Sequence, residues 1–579
     1  MGSDRLRRRA WPQLLAVVAA GAVVNGLLAV PVRRPRVFGD ELIYWQLARG
    51  FAWTGHFVVR GGTAPRYGVV YPALLAVAQR IGSNQTSAYA IAQGLNAVIF
   101  SLTAVPVYFI ASRVLKRRHA LLAALLAVVL PSSVLTSAIM TENAFYPVFV
   151  TSALLMLRAL ERPSTSRQLL VAVAAGVAFL VRAQAVVLLP SYLLAAILLA
   201  VTTSRGRRAA ALAASLRQQA PTIVVLAVAG VAAAAIGGLS SLGPYRVLVT
   251  SYGLRPLAHW GLANLADIDL YLGVIPLAAF AILLVRALSS TTQSAELRRH
   301  VLLSACLGLG LFATVAALSA SQYGLGRTHE RNLFFLVPLV LIGFFAWLEA
   351  GFPRPSVTAA VIAVVLVLLP LTIPLSAVGT SSGEDGLALV IWQDRGTPPK
   401  HAVAEMVFVA AVAAGVFLFS RQPKLMLGIC GVALGVALFA GERHVLRAVK
   451  AERPMWRDTD WVDRAVGPDA RVVALWATTK SEGQFERISG LWADEFFNRS
   501  VRDVASADGP LPDGLPVEEM TIRSNGCLQA AFPWTPQYAV LETIRPLAAP
   551  VVSVSPSGRA SLYRLPGASS HSCFARLQR

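Results

Sequence analysis

Apolar runs near twenty residues long recur along most of this chain, from Leu14–Val30 to Leu425–Ala440. At about 1.5 Å of rise per residue, a helical run of that length crosses the ~30 Å hydrocarbon core of a bilayer. As a helix it also satisfies its own backbone hydrogen bonds, which lipid cannot do. The recurrence excludes an ordinary soluble fold. Composition agrees: 56% of residues are hydrophobic and 14% charged, whereas a soluble globular chain carries about a quarter charged residues.

The net charge of +22 is concentrated between the apolar runs, at Arg5, Arg7, Arg8 and Arg9, at Arg113, Lys116, Arg117 and Arg118, at Arg205, Arg207 and Arg208, and at Arg298 and Arg299. Cytoplasmic loops collect such residues, so the clusters set topology. None is interleaved with aromatic residues in the manner of a nucleic-acid patch, and nucleic acid is not an expected partner. With the N-terminus inside, regular alternation gives about thirteen spans and leaves the C-terminus outside. A polar, aromatic stretch, Ser240–Asp269, is expected as one of the outer loops, and Gly379–His401 as another.

Past Gly441 the chain turns charged and proline-bearing. A helix is expected over Asp458–Val466, with strands at Ala470–Leu475 and Ala549–Val554. The expected fold class is therefore a polytopic α-helical membrane domain, residues 1–440 with a first outer loop at 32–86, followed by a soluble extracytoplasmic α/β domain, residues 441–579. Cys306 and Cys430 fall inside apolar runs and read as inert core residues. Cys527 and Cys573 fall in the tail, in a compartment that permits a disulfide.

The most informative stretch is Phe38-Gly39-Asp40-Glu41-Leu42-Ile43-Tyr44-Trp45, just beyond the first apolar run. Adjacent carboxylates are unfavourable in lipid and belong at an interface, in a cavity or in a loop. Ile43, Leu47 and Phe51 come next at helical spacing and suit a short helix along the interface or a plain packing helix. On the expected topology Asp40, Glu41, Glu142, Arg182, Arg327, His329, Glu330 and Arg331 all lie near the outer ends of different spans. Loops on a helical scaffold can bring such groups into one pocket. A carboxylate can take a proton from an attacking hydroxyl, and guanidinium groups suit a leaving phosphate. Each residue also has a plainer reading. Asp40 and Glu41 could serve a helix N-terminus, Glu142 could cap its span, Arg182 could snorkel, and Arg327 and Arg331 could pair with Glu330.

In order and spacing these motifs resemble the GT-C glycosyltransferases, in particular the lipid-carrier-dependent group that includes protein O-mannosyltransferases and aminoarabinose transferases. Gly39-Asp40-Glu41 resembles the acidic pair of that family's first outer loop, and Arg66-Tyr67 through Tyr71-Pro72 resembles the end of the same loop. Met140-Thr141-Glu142-Asn143 sits where the family has a second acidic residue, with Glu in place of the commoner Asp. Arg182 matches a basic residue after the fifth span. Glu330-Arg331-Asn332-Leu333-Phe334-Phe335 resembles the Glu-Arg-aromatic signature of a later span, with Asn332 departing from the aromatic.

The resemblance implies a polyprenyl-phosphate sugar as donor and a hydroxyl on a cell-envelope glycan, lipid or protein as acceptor, at the outer face of a bacterial plasma membrane. It assigns Asp40, Glu41 and Glu142 to catalysis and Arg182, Arg327, Arg331, His329, Glu330, Arg66 and Tyr67 to donor-phosphate and substrate binding. No obligatory cofactor is expected, although paired carboxylates could hold a divalent metal. The competing class is a transporter or flippase of a lipid-linked sugar, which would also place charges in a membrane cavity.

Overall fold

The structure, a computed structural model, describes residues 2–36, 38–63, 68–204, 207–235, 253–289, 293–380, 384–451, 458–476, 484–507, 509–511, 515–542, 546–565 and 573–577. Its first part is helical: α1 (Gly2–Ala29), α2 (Phe38–Thr54), α3 (Val70–Ile81), α4 (Gln85–Ser101), α5 (Ala104–Ala111), α6 (Arg117–Val128), α7 (Glu142–Glu161), α8 (Thr165–Val181), α9 (Leu188–Thr203), α10 (Arg208–Gln218) and α11 (Ala220–Ala235). Further apolar helices run over Leu254–Leu272, Ile275–Ser289, Ala295–Ala320, Val337–Glu349, Ser356–Leu368, Pro399–Phe419 and Pro423–Ala451. This is a multi-pass membrane protein. Among the described residues seven helices are long and apolar enough to span a bilayer, or ten if each bent pair is one span. The expected count of thirteen would need three of the shorter apolar helices, such as Thr165–Val181, as spans too.

Helix α1 packs against α4 and α6 at a small-residue contact. A Cβ on Gly21 would lie 2.8 Å from Val128 Cγ2, so the approach requires glycine, in the way small residues admit close helix packing in membranes. Beside it Asn25 Nδ2 donates to Val128 O at 3.0 Å, which pairs the donor side of a buried amide.

Part of the expected outer loop Ser240–Asp269 proves to be helical. Residues 240–252 lie outside the described residues, while Leu254–Leu272 is a helix with Ala263, Ala266, Ile268 and Tyr271 buried. Tyr, Arg and His residues such as Arg255 and His259 make the stretch read as an outer loop, but the helix packs a face that buries even Asp267 and Asp269. It ends at Gly273, whose φ of 74° is the left-handed conformation that closes many helices, and the chain turns by 115° into Ile275–Ser289. The boundary expected at 441 falls within the continuous helix Pro423–Ala451.

A short hairpin, β1 (Val58–Val59) with β2 (Gly62–Thr63), comes after α2. The C-terminal strands are β3 (Val472–Trp476), β4 (Val501–Ser506), β5 (Glu518–Ile522), β6 (Cys527–Ala530), β7 (Tyr538–Glu542), β8 (Val551–Val554), β9 (Ala560–Arg564) and β10 (Ala575–Arg576). They form one eight-stranded sheet in the order β10-β6-β5-β4-β3-β7-β9-β8. Its centre is parallel, β4 and β7 both pairing with β3, and its flanks are antiparallel. A parallel β3–β4 pair needs a crossover, and the helix Gln484–Phe497 supplies it. The expected helix and both expected strands are present, at Trp461–Val466, β3 and β8. Cys527 and Cys573 form a disulfide, and Cys306 and Cys430 are free and buried.

Candidate active site

Helix α2 places Asp40 and Glu41 in its first turn, and because they are sequence neighbours they point in different directions. Glu41 is fully buried. One of its oxygens accepts the backbone N–H of Arg36; the other accepts from Ile139 N at 2.7 Å and the Tyr89 hydroxyl at 3.4 Å. It ties the segment before α2 to α4 and to the turn before α7, so the expected catalytic assignment of Glu41 meets a carboxylate occupied by the scaffold. Asp40 points instead into a cleft, with 44% of its side chain exposed.

The opposite wall of the cleft is the segment before the helix Val337–Glu349. Arg331 Nη2 lies 3.8 Å from Asp40 Oδ2, and Arg331 Nε lies 3.9 Å from Glu142 Oε1 and 2.9 Å from Asp385 Oδ1. Arg331 Nη1 is buried and has no hydrogen-bond partner among the described residues. Arg327 Nη1 stands 3.4 Å from Asp385 Oδ2, and His329 Nδ1 is 3.4 Å from Asp385 Oδ1.

Glu142 opens α7 and is completely buried, at the end where the helix dipole favours a negative charge. Its Oε2 meets Arg182 Nη1 at 2.9 Å. Arg182, just past α8, also donates to Thr141 Oγ1 at 2.7 Å, to Gln184 Oε1 at 3.2 Å and to Asn332 Oδ1. Asn332, where the resemblance leads one to expect an aromatic residue, thus joins Glu142, Thr141 and Gln184 in holding Arg182. Backbone between the β1–β2 hairpin and α3 closes on the same corner: a Cβ on Gly68 would collide with Val181 O.

Glu330 turns away from the cleft. It is buried, and its Oε2 accepts the N–H of Ala388 at 3.0 Å, which anchors the loop carrying Asp385. Arg66 and Tyr67 lie outside the described residues.

Asp385 and its neighbour Glu384, which receives Arg36 Nη2 at 2.8 Å, are the residues that sequence reasoning missed. A second acidic doublet in an expected outer loop was the available signal.

Electrostatics separate the carboxylates. Around Asp40, desolvation by the cleft walls outweighs the attraction of Arg331 and holds its pKa above the ordinary carboxylate value. Burial alone would also raise Asp385, but Arg331, His329 and Arg327 outweigh it and hold that carboxyl well below the usual range. The site therefore contains a permanently charged acid that orients arginines and a second, more basic carboxylate facing open space. Among the described residues no group of three or more His, Cys, Asp and Glu side chains is arranged to hold a metal ion.

Fold and site together define a multi-pass helical membrane protein with a cleft of facing carboxylates and arginines beside a soluble sheet domain. Residues 66–232 match the dolichyl-phosphate-mannose-protein mannosyltransferase family. This segment carries Glu142 and Arg182, two of the residues on which the GT-C resemblance rests. The fold is similar to that of ArnT from Cupriavidus metallidurans in the apo state, at 16% identity and a TM-score of 0.47, covering 96% of this chain and 98% of that one. The same protein bound to undecaprenyl phosphate gives 15% identity and a TM-score of 0.49, over 95% and 97% of the two chains. The apo oligosaccharyltransferase of Archaeoglobus fulgidus gives 12% identity and a TM-score of 0.45, over 86% of this chain and 65% of that one. No curated protein sequence matches the chain.

Proposed function

We propose that this protein is an integral membrane glycosyltransferase that moves a hexosyl or pentosyl group from a polyprenyl-phosphate donor to a hydroxyl acceptor on a cell-envelope glycan, lipid or protein. The observation that carries the reading is the pairing of Asp40, open to the cleft, with Arg331, whose buried Nη1 has no partner among the described residues, 3.8 Å away at the nearest side-chain atoms. A buried, unsatisfied guanidinium N–H is costly unless an acceptor such as a phosphate oxygen arrives to meet it. The family matched by residues 66–232 takes its sugar from dolichyl phosphate, which supports a lipid-phosphate donor.

In this mechanism Asp40 accepts the proton of the acceptor hydroxyl as its oxygen attacks the anomeric carbon. The bond from that carbon to the lipid-phosphate oxygen breaks in the same displacement, with inversion, and the phosphate leaves with the electron pair. Arg331, with Arg182 and Arg327, stabilises the charge gathering on the phosphate. Glu142 and Asp385 hold those guanidinium groups in place, and His329 supports Asp385.

The distribution of basic clusters supports a plasma-membrane orientation with the N-terminus inside and residues 441–579 outside, which puts the cleft at the outer face. The proposed chemistry requires no obligatory ion. Dialysis against EDTA is expected to leave transfer unchanged, whereas activity lost and restored by a divalent cation would recast Asp40 and Glu142 as ligands.

The direct test uses the purified protein in nanodiscs with a panel of radiolabelled polyprenyl-phosphate sugars, comparing the wild type with Asp40→Asn. Transfer or slow donor hydrolysis by the wild type, reduced about 10²–10⁴-fold in the variant with donor binding retained, is the expected result. Binding without turnover in both proteins would favour a transporter of the lipid-linked sugar. Unchanged turnover in the variant would remove Asp40 as the base.

A further inference from the structure

The far side of α2 is clamped to the soluble domain by a joint that none of the proposed chemistry uses. Arg60 stands at the turn of the β1–β2 hairpin with φ 47°, and Gly61 beside it at 70°. This turn type needs positive φ at both central residues, and a non-glycine residue there costs about 1 kcal/mol. Such a conformation persists where its surroundings over-determine it. Here the Arg60 N–H donates to Gln46 Oε1 at 3.1 Å. Its guanidinium grips Glu495 bidentately, Nε to Oε1 at 2.7 Å and Nη2 to Oε2 at 2.8 Å. Gln46 Nε2 donates to the same Glu495 Oε1 at 3.0 Å, closing a triangle. The Arg60 and Glu495 side chains are 0% and 2% exposed.

Neighbouring residues of α2 grip the same helix, Gln484–Phe497. Trp45 stacks on Phe496 with centroids 5.1 Å apart and planes at 5°, and its indole N–H donates to Phe496 O at 3.0 Å. Arg49 Nη1 donates to Glu495 O at 3.0 Å and Asn498 O at 3.1 Å. Against well-packed apolar side chains a buried ion pair adds little net stability, but its bidentate geometry fixes orientation. Gln46 sits six residues after Asp40 on one continuous helix, roughly 9 Å along its axis. A rotation or slide of α2 about this joint would therefore displace Asp40 relative to Arg331, which belongs to a different wall.

We propose that Glu495 is a positioning residue for Asp40: through Arg60 and Gln46 the soluble domain sets the register of α2 against the arginine wall of the cleft. The inference rests on the reading of Asp40 as base. A misplacement of about 1 Å at a reacting group can cost on the order of 10²-fold in rate, so the joint is expected to act on turnover and not on donor affinity.

The test uses the full-length chain in nanodiscs with whichever polyprenyl-phosphate sugar the wild type transfers. Glu495→Gln is expected to lower kcat about tenfold or more with the donor KM held within about twofold, and Glu495→Asp to recover part of the loss. Spin labels at Thr54→Cys on α2 and Gln322→Cys on the opposite wall report the register directly. Their distance distribution is expected to broaden or shift in Glu495→Gln. Gln46→Leu, which leaves the ion pair in place, serves if Glu495→Gln does not fold; a loss confined to kcat is again expected.

Unchanged kcat, a loss confined to KM, or an unaltered distance distribution would overturn the proposal. Full activity in Asp40→Asn would instead sink the underlying reading of the cleft, whatever Glu495 does.

Discussion

Two charge networks flank α2, and they differ in how completely they are closed off and paired. At the joint with the soluble domain, Arg60 and Glu495 meet through two hydrogen bonds of 2.7 and 2.8 Å. In the cleft Arg331 meets Asp385 at 2.9 Å, but it stands 3.8 Å from Asp40 and 3.9 Å from Glu142, and its Nη1 has no hydrogen-bond partner among the described residues. The joint is withdrawn from water, a state in which charged groups are expensive unless paired, whereas Asp40 in the cleft is 44% exposed. The joint has completed its pairing internally, as a fixed structural element does. The cleft leaves Arg331 Nη1 unpaired among the described residues, which is the opening that the proposed phosphate would fill.

The sharpest way to break this contrast is at Arg331. Arg331→Lys keeps the charge but loses the planar fork, and we expect a fall in transfer of about 10²–10³-fold. Binding of the polyprenyl-phosphate donor should weaken as well, as read by a fluorescence titration. Retention of both would mean that the open guanidinium in the cleft has no ligand to meet.

At the joint, Arg60→Ala strands a buried carboxylate and is expected to destabilise the protein by about 3–5 kcal/mol, read as a lower melting temperature of the solubilised protein. The double variant Arg60→Met/Glu495→Leu removes both charges together. It should recover most of that stability while leaving kcat depressed. Recovery of kcat along with stability would show that the joint is only structural.

The pH profile probes the cleft alone. Because Asp40 must be ionised to accept a proton, and its pKa is held above the ordinary value by desolvation, activity should be full at high pH. It should fall as pH drops through that raised pKa. The acid limb of kcat/KM is expected above pH ~4, the ordinary carboxylate range. A limb at or below it would show that the cleft is wetter than its walls indicate.

The smallest effect belongs to Asp503, on β4 beside the hairpin, whose pKa desolvation pushes up to about 7. The folded state keeps this proton longer than the unfolded chain, so stability falls as pH rises from ~4 to about 7 and levels off above. Asp503→Asn should raise stability at pH 8 by on the order of 1 kcal/mol and have less effect at pH 5. An equal gain at both values would assign the effect to something other than ionisation.

Local sequence singles out Asp40, Glu142, Arg182, Arg327 and Arg331, which the structure brings near one another, because charge at the end of an apolar run is rare enough to stand out. Residue type alone does not separate Asp40 from Glu41; the resemblance is what implies Asp40 as base and Glu41 as an orienting group. Which of two adjacent carboxylates faces the cleft depends on helix phase and on the N–H groups of Arg36 and Ile139. Asp385 was passed over because it sits in a loop with no period to read, and Glu495 because a helix residue gives no sign of a partner more than four hundred positions away. The helix Leu254–Leu272 shows a related limit: its polar residues suggested a loop, and the face that packs was visible only once its neighbours were in place.

The features that the sequence determined by itself are those imposed by solvent. Recurrent apolar length requires helices across a bilayer, basic clusters mark one side, and the change in composition near 441 marks a domain of another kind. Only the tertiary structure decided which charges meet. Contact between Arg331 and Asp385, between Arg182 and Asn332, and between Arg60 and Glu495 depends on how separate elements pack. Pairing energies act over a few ångströms in space, and separation along the chain says little about them.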